Sequence, residues 1–177
     1  MQKVKLFVLS AWIIVFSCAQ RPSAGTDHVK WISLDQAEFE LHKENRPVLI
    51  DLYTDWCGWC KVMDKKTYSN RNVVQYLQDK FYTVKVNAET REPISWKGKA
   101  YHFNENYRSN DFAVYITQGR LEFPTTVILP ADGSEPQAIP GYLEPKDFEL
   151  IAKYFGQEGG YGKIPFEQFQ KNFKPSW

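Results

Sequence analysis

The chain has 177 residues, of which 43% are hydrophobic and 16% aromatic, enough for one packed domain of about 100 to 150 residues behind a leader. This composition excludes a disordered tail. Lys and Arg total 22 against 21 for Asp and Glu, so the chain has no strong field to attract nucleic acid or an anionic membrane surface.

The N-terminal segment has the features of an export signal. Lys3 and Lys5 precede an apolar run over residues 6–16, which is well short of the ~20 residues that span a bilayer. We therefore expect residues 1–19 to be a signal peptide and residues 20–28 to be a linker. The protein is then exported, and it works in the periplasm if its source is bacterial.

Two processing routes are open for this signal. Cleavage after Ala19 releases a free chain, whereas cleavage before Cys18 resembles a bacterial lipoprotein signal and ends in lipidation of the Cys18 thiol. The second route ties the protein to the outer membrane, facing the periplasm, through a lipid anchor. Either route leaves Cys57 and Cys60 as the cysteines of the mature chain, so any cysteine chemistry belongs to that pair.

After the linker, short β-type runs alternate with helix-type runs, which is the pattern of an α/β sheet. We expect residues 29–156 to form one domain. The predicted elements in chain order are strand 30–32, a helix from the Ser33/Gln36 capping signature to about residue 45, strand 48–53, helical stretches 62–66 and 72–78, strand 81–86, helix 112–117, strand 125–129, strand 137–139 and helix 145–155.

Three features stand out against this pattern. Strand 48–53 is apolar on both alternating faces except at Asp51, which indicates a central, buried strand. Residues 89–110 are polar, aromatic and irregular, and connections of that length are usually functional. Residues 157–177 form a C-terminal extension, and we expect its aromatic residues to dock back onto the domain. They are Phe166, Phe169, Phe173 and Trp177.

Cys57 and Cys60 are placed for redox chemistry. Cys57 falls where a strand ends and a helix begins, so its sulfur should lie beside unpaired backbone N–H groups at the positive end of the helix dipole. That setting stabilises a thiolate and makes the sulfur nucleophilic. Cys60 follows one turn later on the same face, close enough for a disulfide. The outer thiolate can attack a partner disulfide, and the inner cysteine can resolve the mixed disulfide.

Two simpler interpretations compete with this one. A zinc half-site needs two further ligands, but there is no second C-x-x-C, and His28, His42 and His102 are scattered without ligand spacing, so we expect no metal. A permanent structural disulfide would close only a very small loop, and disulfide stabilisation grows with loop length. The redox interpretation is favoured, with the cysteine pair itself in place of a cofactor.

Five segments of the chain carry a family resemblance: YTDWCGWCK at 53–61, TY at 67–68, VKVN at 84–87, FPTT at 123–126 and GYL at 141–143. Together they resemble the thioredoxin superfamily, and especially the C-terminal thioredoxin-like domain of the thiol-disulfide interchange protein DsbD and small exported relatives. The resemblance covers about residues 29–155. It implies a thioredoxin fold, with a central mixed sheet flanked by helices and an insertion before the strand that carries a cis-proline.

The resemblance implies catalytic roles for four residues. Cys57 is similar to the attacking thiol of the family and Cys60 to its resolving thiol. Asp51 matches a buried carboxylate that resists ionisation and exchanges a proton with Cys60, and Lys85 matches the lysine that pairs with this carboxylate. The residues alone leave an alternative for Asp51, a strand-end aspartate that faces solvent or caps a turn.

The resemblance also implies a substrate-binding face. Pro124 matches the cis-proline that faces the disulfide, and a cis bond would turn the Phe123 backbone toward Cys57 so that an extended substrate segment can pair with it. Phe123 is larger than the residue common in the family at this position, which bears on the breadth of substrate choice.

The residues around the thiols extend that face. Gly58 lies between the cysteines, and Trp59 stands where thioredoxin itself has a proline. Trp56 and Trp59 would form a hydrophobic rim that grips partner polypeptide. A second interpretation of Trp56, that it packs onto the domain, is equally open.

The segment over residues 89–110 follows a strand whose C-terminal end should lie on the active-site side of the sheet. We therefore expect its larger side chains to take part in partner choice. They are Trp96, Tyr101, His102 and Tyr107.

The leading hypothesis is an exported thiol-disulfide oxidoreductase that reduces disulfides of other exported proteins. This chain lacks the transmembrane electron carrier that accompanies the DsbD domain, so we expect a separate thiol electron donor, such as a membrane interchange protein. Two alternatives stay open: a non-catalytic thioredoxin-fold binding module with a static disulfide, and a redox relay in cytochrome c maturation.

Overall fold

The computed structural model describes residues 28–156 and 161–177. The predicted signal peptide, Cys18 and the linker up to residue 27 lie outside the described residues, so the predictions about export and lipidation stay predictions. In the part of the chain that is described, no helix is both long enough and apolar enough to cross a membrane.

The described residues form eight strands and six helices. In chain order they are α1 (Leu34–Leu41), β1 (Val48–Tyr53), α2 (Gly58–Lys66), α3 (Arg71–Lys80), β2 (Tyr82–Asn87), β3 (Ile94–Trp96), β4 (Lys99–Tyr101), β5 (Phe103–Asn104), β6 (Ser109–Asn110), α4 (Asp111–Ile116), β7 (Thr125–Leu129), β8 (Gln137–Pro140), α5 (Pro145–Gly156) and α6 (Phe166–Asn172).

A four-stranded mixed sheet lies at the centre, in the order β2-β1-β7-β8. β1 runs parallel to β2 and antiparallel to β7, and β7 pairs antiparallel with β8. The predicted α/β architecture, with a mixed sheet flanked by helices, is confirmed.

Alternation of side chains along β1 separates two cores on the two faces of the sheet. One face carries Ile50 and Leu52, which pack in one cluster with side chains of α1, α4 and residues 94–101. The opposite face carries Leu49, which packs with side chains of α2, α3 and α5. Asp51 lies on this second face, two residues after Leu49, so the one charged residue of β1 is directed toward α2.

Two predicted elements are shorter in the structure. The expected strand at 30–32 is reduced to a single bridge between Ile32 and Val84. Helix α1 ends at Leu41 because the backbone tightens there: His42 N–H donates to Phe39 O at 3.3 Å, a three-residue turn that ends the α-helical pattern.

The prediction that residues 89–110 are irregular is wrong. They form two antiparallel pairs, β3 with β4 and β5 with β6. Trp96 and Tyr101 are only 4% and 6% exposed, and their rings lie 6.4 and 5.3 Å from that of Phe112. A role for these two in partner choice is therefore excluded, because the hairpin directs them into the core. His102 and Tyr107 are exposed, and their role stays a prediction.

The C-terminal extension docks onto the domain, as predicted. The ring of Tyr154 in α5 lies 5.1 Å from Phe166 and 5.2 Å from Phe169. Trp177 packs against Tyr76 of α3, with 5.5 Å between ring centroids. These contacts join the last residues of the chain to the face of the domain that carries α3 and α5.

A buried carboxylate reinforces this docking. Glu149 of α5 is fully buried, and it accepts hydrogen bonds from the backbone N–H groups of Ser176 at 2.9 Å and Trp177 at 3.1 Å. Lys153 donates to the same carboxylate at 2.5 Å. The extension is therefore held by charge-assisted hydrogen bonds as well as by aromatic packing.

Trp96→Ala should destabilise the domain by about 3–5 kcal/mol, the usual cost of truncating a buried tryptophan. Urea unfolding followed by circular dichroism measures the loss. His102→Ala, at an exposed position of the same insertion, is the control and should stay within about 0.5 kcal/mol of the parent. Comparable small effects from both substitutions would contradict the assignment of Trp96 to the core.

Candidate functional site

Cys57 is the N-cap of α2, and its Sγ accepts a hydrogen bond from the backbone N–H of Cys60 at 3.0 Å. The two cysteines form a disulfide with 5.3 Å between their Cα atoms. Only 4% of Cys57 and 3% of Cys60 is exposed. The predicted position of the pair at a helix start is confirmed, and an N–H donor and the positive end of the helix dipole face the outer sulfur.

Aromatic side chains surround the disulfide and pack in pairs. Trp56, which is 67% exposed, makes an edge contact with Phe123 at 5.9 Å between centroids. Trp59, which is 62% exposed, stacks on Tyr142 at 5.5 Å. We call these four residues the aromatic rim. Trp56 thus packs onto the domain through Phe123 and still exposes most of its ring. Tyr142 is a rim residue that the sequence analysis did not identify. The space beside Gly58 is open, since a Cβ there would meet no atom within 4 Å outside the neighbouring residues.

The end of β2 supports the loop between β1 and α2. Asn87 donates to Asp55 Oδ2 at 3.1 Å and accepts from the Glu89 N–H at 2.9 Å. Glu89 in turn accepts a hydrogen bond from Trp56 Nε1 at 3.0 Å. The sequence analysis missed both Asn87 and Glu89. The feature that could have identified them is the parallel pairing of β1 with β2, which places Asn87 directly beside Tyr53 at the end of β1.

The Phe123–Pro124 peptide bond is cis, as the resemblance implies. Pro124 is buried, and its carbonyl accepts a hydrogen bond from Gly141 N–H at 2.8 Å. Thr125 pairs with Leu52, so Pro124 lies at the edge of the sheet where β1 leads into the cysteine loop. The structure therefore brings Phe123 and Pro124 to the same edge as the disulfide.

Asp51 lies in the interior of the domain, and only 1% of its surface is exposed. Burial raises its pKa from 3.8 to about 6, although the nearby Lys85 ammonium opposes the shift. Lys85 pairs with Asp51 in the β1–β2 register, and its Nζ lies 3.1 Å from Asp51 Oδ2. The predicted ion pair is confirmed, and the alternative of an aspartate facing solvent is wrong.

A second carboxylate, which the sequence analysis missed, joins this pair. Lys85 donates its hydrogen bond to Asp64 of α2. Burial lowers the pKa of Lys85, but the charges of Asp51 and Asp64 outweigh it and leave the pKa above its ordinary value. The signal in the sequence is spacing: Asp64 follows Cys60 by four residues, so both lie on one face of α2. That face of α2 packs toward the side of the sheet that carries Asp51.

One side of the ion-pair cluster is open to solvent. A cavity of about 300 Å³ lies beside it, lined by His28, Val29, Trp31, Asp64, Tyr68 and Lys85. The side chain of Lys85 is 22% exposed and that of Asp64 is 40% exposed. The buried carboxylate of Asp51 is thus in contact with a partly exposed group, the Lys85 ammonium.

The structure brings together all the predicted site residues of the domain and leaves Cys18 outside the described region. Within residues 28–156 and 161–177, no three His, Cys, Asp or Glu side chains are grouped so that they could hold a metal ion. The arrangement can accept and release a proton at Asp51 and exchange a disulfide at Cys57 and Cys60.

Comparison with known proteins finds relatives over most of the domain. The family model described as a thioredoxin-like domain matches residues 34–156. The thiol:disulfide interchange protein DsbD of Salmonella typhi is 27% identical over 147 residues, which are 79% of this chain and 22% of that protein. Spermatogenesis-associated protein 20 of Homo sapiens is 30% identical over 67 residues, which are 37% of this chain and 8% of that protein.

Among solved structures, DsbH oxidoreductase matches with a TM-score of 0.52 and 16% identity, covering 77% of this chain and 90% of that chain. At this identity the likeness shows the fold alone, which is the thioredoxin fold. The chain spans only 22% and 8% of the length of the two curated relatives.

Asp51→Asn should stabilise the oxidised protein above about pH 6 and have little effect near pH 4. Because the pKa of Asp51 is raised from 3.8 to about 6, the folded chain binds this proton more tightly than the unfolded chain. Its stability therefore falls as the pH rises between those values, by up to roughly 3 kcal/mol for two pKa units.

Urea unfolding at the two ends of that pH range measures the difference. Asp55→Asn, at an exposed position of the neighbouring loop, is the control and should show no such pH-dependent gain. An Asp51→Asn protein that is less stable than the parent at pH 7.5 would contradict the assignment.

Proposed function

Because the chain belongs to the family of thioredoxin-like domains, we propose that it is an exported thiol-disulfide oxidoreductase that reduces disulfides in other exported proteins. The observation that carries the proposal is the Cys57–Cys60 disulfide at the start of α2, with the Asp51 carboxylate buried on the face of the sheet that packs against α2. Similarity to a thiol:disulfide interchange protein supports exchange chemistry.

The first step is attack by Cys57. In the reduced protein its thiolate is stabilised by the Cys60 N–H and by the helix dipole. The thiolate attacks one sulfur of a partner disulfide, so the partner S–S bond breaks and a mixed disulfide with Cys57 forms. The displaced partner sulfur leaves as a thiolate and takes a proton from water.

The second step is resolution by Cys60. The Cys60 thiol transfers its proton to the Asp51 carboxylate, and the resulting thiolate attacks Cys57 Sγ. The Cys57–Cys60 disulfide forms, and the second partner sulfur leaves as a thiolate. A pKa of about 6 suits this role, since Asp51 is ionised at neutral pH and yet basic enough to take the proton.

The cycle needs an external reductant. The partner gains two electrons, and a separate dithiol protein returns them by reducing Cys57–Cys60. We assign this donor to the same exported compartment, with a membrane interchange protein as the class of partner. Residues 1–19 would direct export, and Cys18 would supply a lipid anchor if it is lipidated.

The aromatic rim would bind the partner polypeptide. Four large rings, two of them more than 60% exposed, offer apolar contact next to the cysteine pair. The backbone at the cis bond before Pro124 would pair with an extended partner segment. Main-chain pairing and ring contacts together favour an unfolded or extended region around the partner cysteine.

Cys60→Ser should trap partner proteins as mixed disulfides on Cys57, because attack proceeds and resolution does not. The adducts are detected by non-reducing electrophoresis and mass spectrometry after expression of the full chain in its native compartment. Cys57→Ser is the matched control and should capture nothing. If the parent disulfide resists physiological dithiols and Cys60→Ser forms no adduct, the disulfide is static and the protein is a binding module instead.

Trp59→Ala should raise the KM for a protein disulfide by roughly 5–30-fold, the effect of losing about 1–2 kcal/mol of aromatic contact. Its rate with a small aromatic disulfide reagent should change little. Phe39→Ala removes an equally exposed ring on α1 and is the control. Equal losses with both substrates would show that Trp59 acts on the disulfide chemistry and not on partner binding.

A further inference from the structure

Two buried hydroxyl groups lie on the Asp51 side of the sheet, and the cycle described above does not use them. Tyr68 OH, Thr126 Oγ1 and both carboxylate oxygens of Asp51 are shielded from solvent, and none makes a well-formed hydrogen bond with the described residues. Lys85 forms an ion pair with Asp51 Oδ2 at 3.1 Å and donates a hydrogen bond to Asp64.

The fold places both hydroxyls on the Asp51 side of the sheet. Thr126 is directly opposite Asp51 in the antiparallel β1–β7 pair, where side chains on one face lie about 4.5–5.5 Å apart at Cβ. Tyr68 follows α2 and packs in the cluster that contains Leu49 and Ile128, which are the face neighbours of Asp51 and Thr126.

The charge of Asp51 and the hydroxyl of Thr126 both act on Tyr68. Burial raises the pKa of Tyr68 well above the ordinary value, the charge of Asp51 raises it further, and the nearby Thr126 hydroxyl opposes the shift. Tyr68 therefore keeps its proton throughout the neutral range. Both Tyr68 and Thr126 are available to Asp51 as hydrogen-bond donors at any pH where the enzyme works.

A hydroxyl group buried at either of these positions needs a hydrogen-bond partner. A buried hydroxyl without a hydrogen bond costs free energy, and phenylalanine and valine would fill the same two places in this apolar cluster without that cost. The charged groups that act on Asp51 are Lys85 of β2 and Asp64 of α2. Lys85 and Asp64 are partly exposed, whereas Tyr68 and Thr126 are buried on the same side of the sheet as Asp51.

We propose that Tyr68 and Thr126 are positioning residues for the proton acceptor: their hydroxyls donate hydrogen bonds to the ionised Asp51 carboxylate through one bridging water. They keep the carboxylate ionised and oriented so that it takes the proton from Cys60 as the Cys60 thiolate forms. The proposal rests on the dithiol cycle for its use, but the interaction itself exists in the oxidised protein.

The test is a titration of the Asp51 carboxyl carbon by NMR in the oxidised full chain. Tyr68→Phe and Thr126→Val should each raise the midpoint by about one pH unit, because each removes a donor to the charged form. Thr126→Ser restores the hydroxyl and should return the midpoint to the parent value. An unchanged or lowered midpoint in both folded variants overturns the proposal.

Tyr76→Phe is the matched control. Tyr76 also has a buried hydroxyl without a hydrogen bond, but it lies in α3 beside Phe81 and Trp177, and the charge that acts on it is that of Asp79. Its substitution should leave the Asp51 midpoint unchanged. If Tyr68→Phe does not fold, the Thr126→Val and Thr126→Ser pair decides the question.

A second measurement separates this proposal from the proposed function. The pH profile of disulfide reduction should shift in Tyr68→Phe as the carboxyl titration does, and Tyr68→Phe should have no further effect on the rate in an Asp51→Asn background. A parent protein without reductase activity overturns the proposed function, while the carboxyl titration still decides the role of the two hydroxyls.

Discussion

The burial of one carboxylate in an apolar strand organises the functional half of the molecule. Asp51 is 1% exposed in the central strand, and a charge there must be paired. The parallel register of β1 and β2 supplies Lys85 directly beside it. Lys85 in turn reaches Asp64 of α2, so one ammonium group joins β2, β1 and the helix that begins at the disulfide.

One face of the sheet contributes mainly to the stability of the fold, and the other face carries the groups proposed to take part in the chemistry. The insertion over residues 89–110 packs Trp96 and Tyr101 into the core with α1 and α4, so it adds to the fold on the face away from Asp51. α2, Asp51 and the hydroxyls of Tyr68 and Thr126 occupy the other face. The aromatic rim forms where the two meet, at the edge of the sheet from which the cysteine loop leaves β1.

The burial of Asp51 lowers the stability of the fold at neutral pH and makes its carboxylate a better base. A carboxylate whose pKa is raised to about 6 by burial is a destabilising group at neutral pH, yet the same shift brings it into the range where a base accepts a thiol proton efficiently. Departures from an apolar core at Asp51, Tyr68 and Thr126 lie together on the face of the sheet that packs against α2, and such departures are typical of functional sites.

The sequence by itself determined the strands of the central sheet, the buried position of β1 and the placement of Cys57 and Cys60 at a helix start, because these depend on local periodicity and short spacing. The resemblance added Lys85, the cis bond before Pro124 and the pairing of Asp51. Only the tertiary structure decided that Trp96 is core while Trp56 is surface, since composition alone does not say which way a ring points. It also revealed Asp64, Tyr142 and the two hydroxyls, because their roles arise from contacts between segments far apart in the chain.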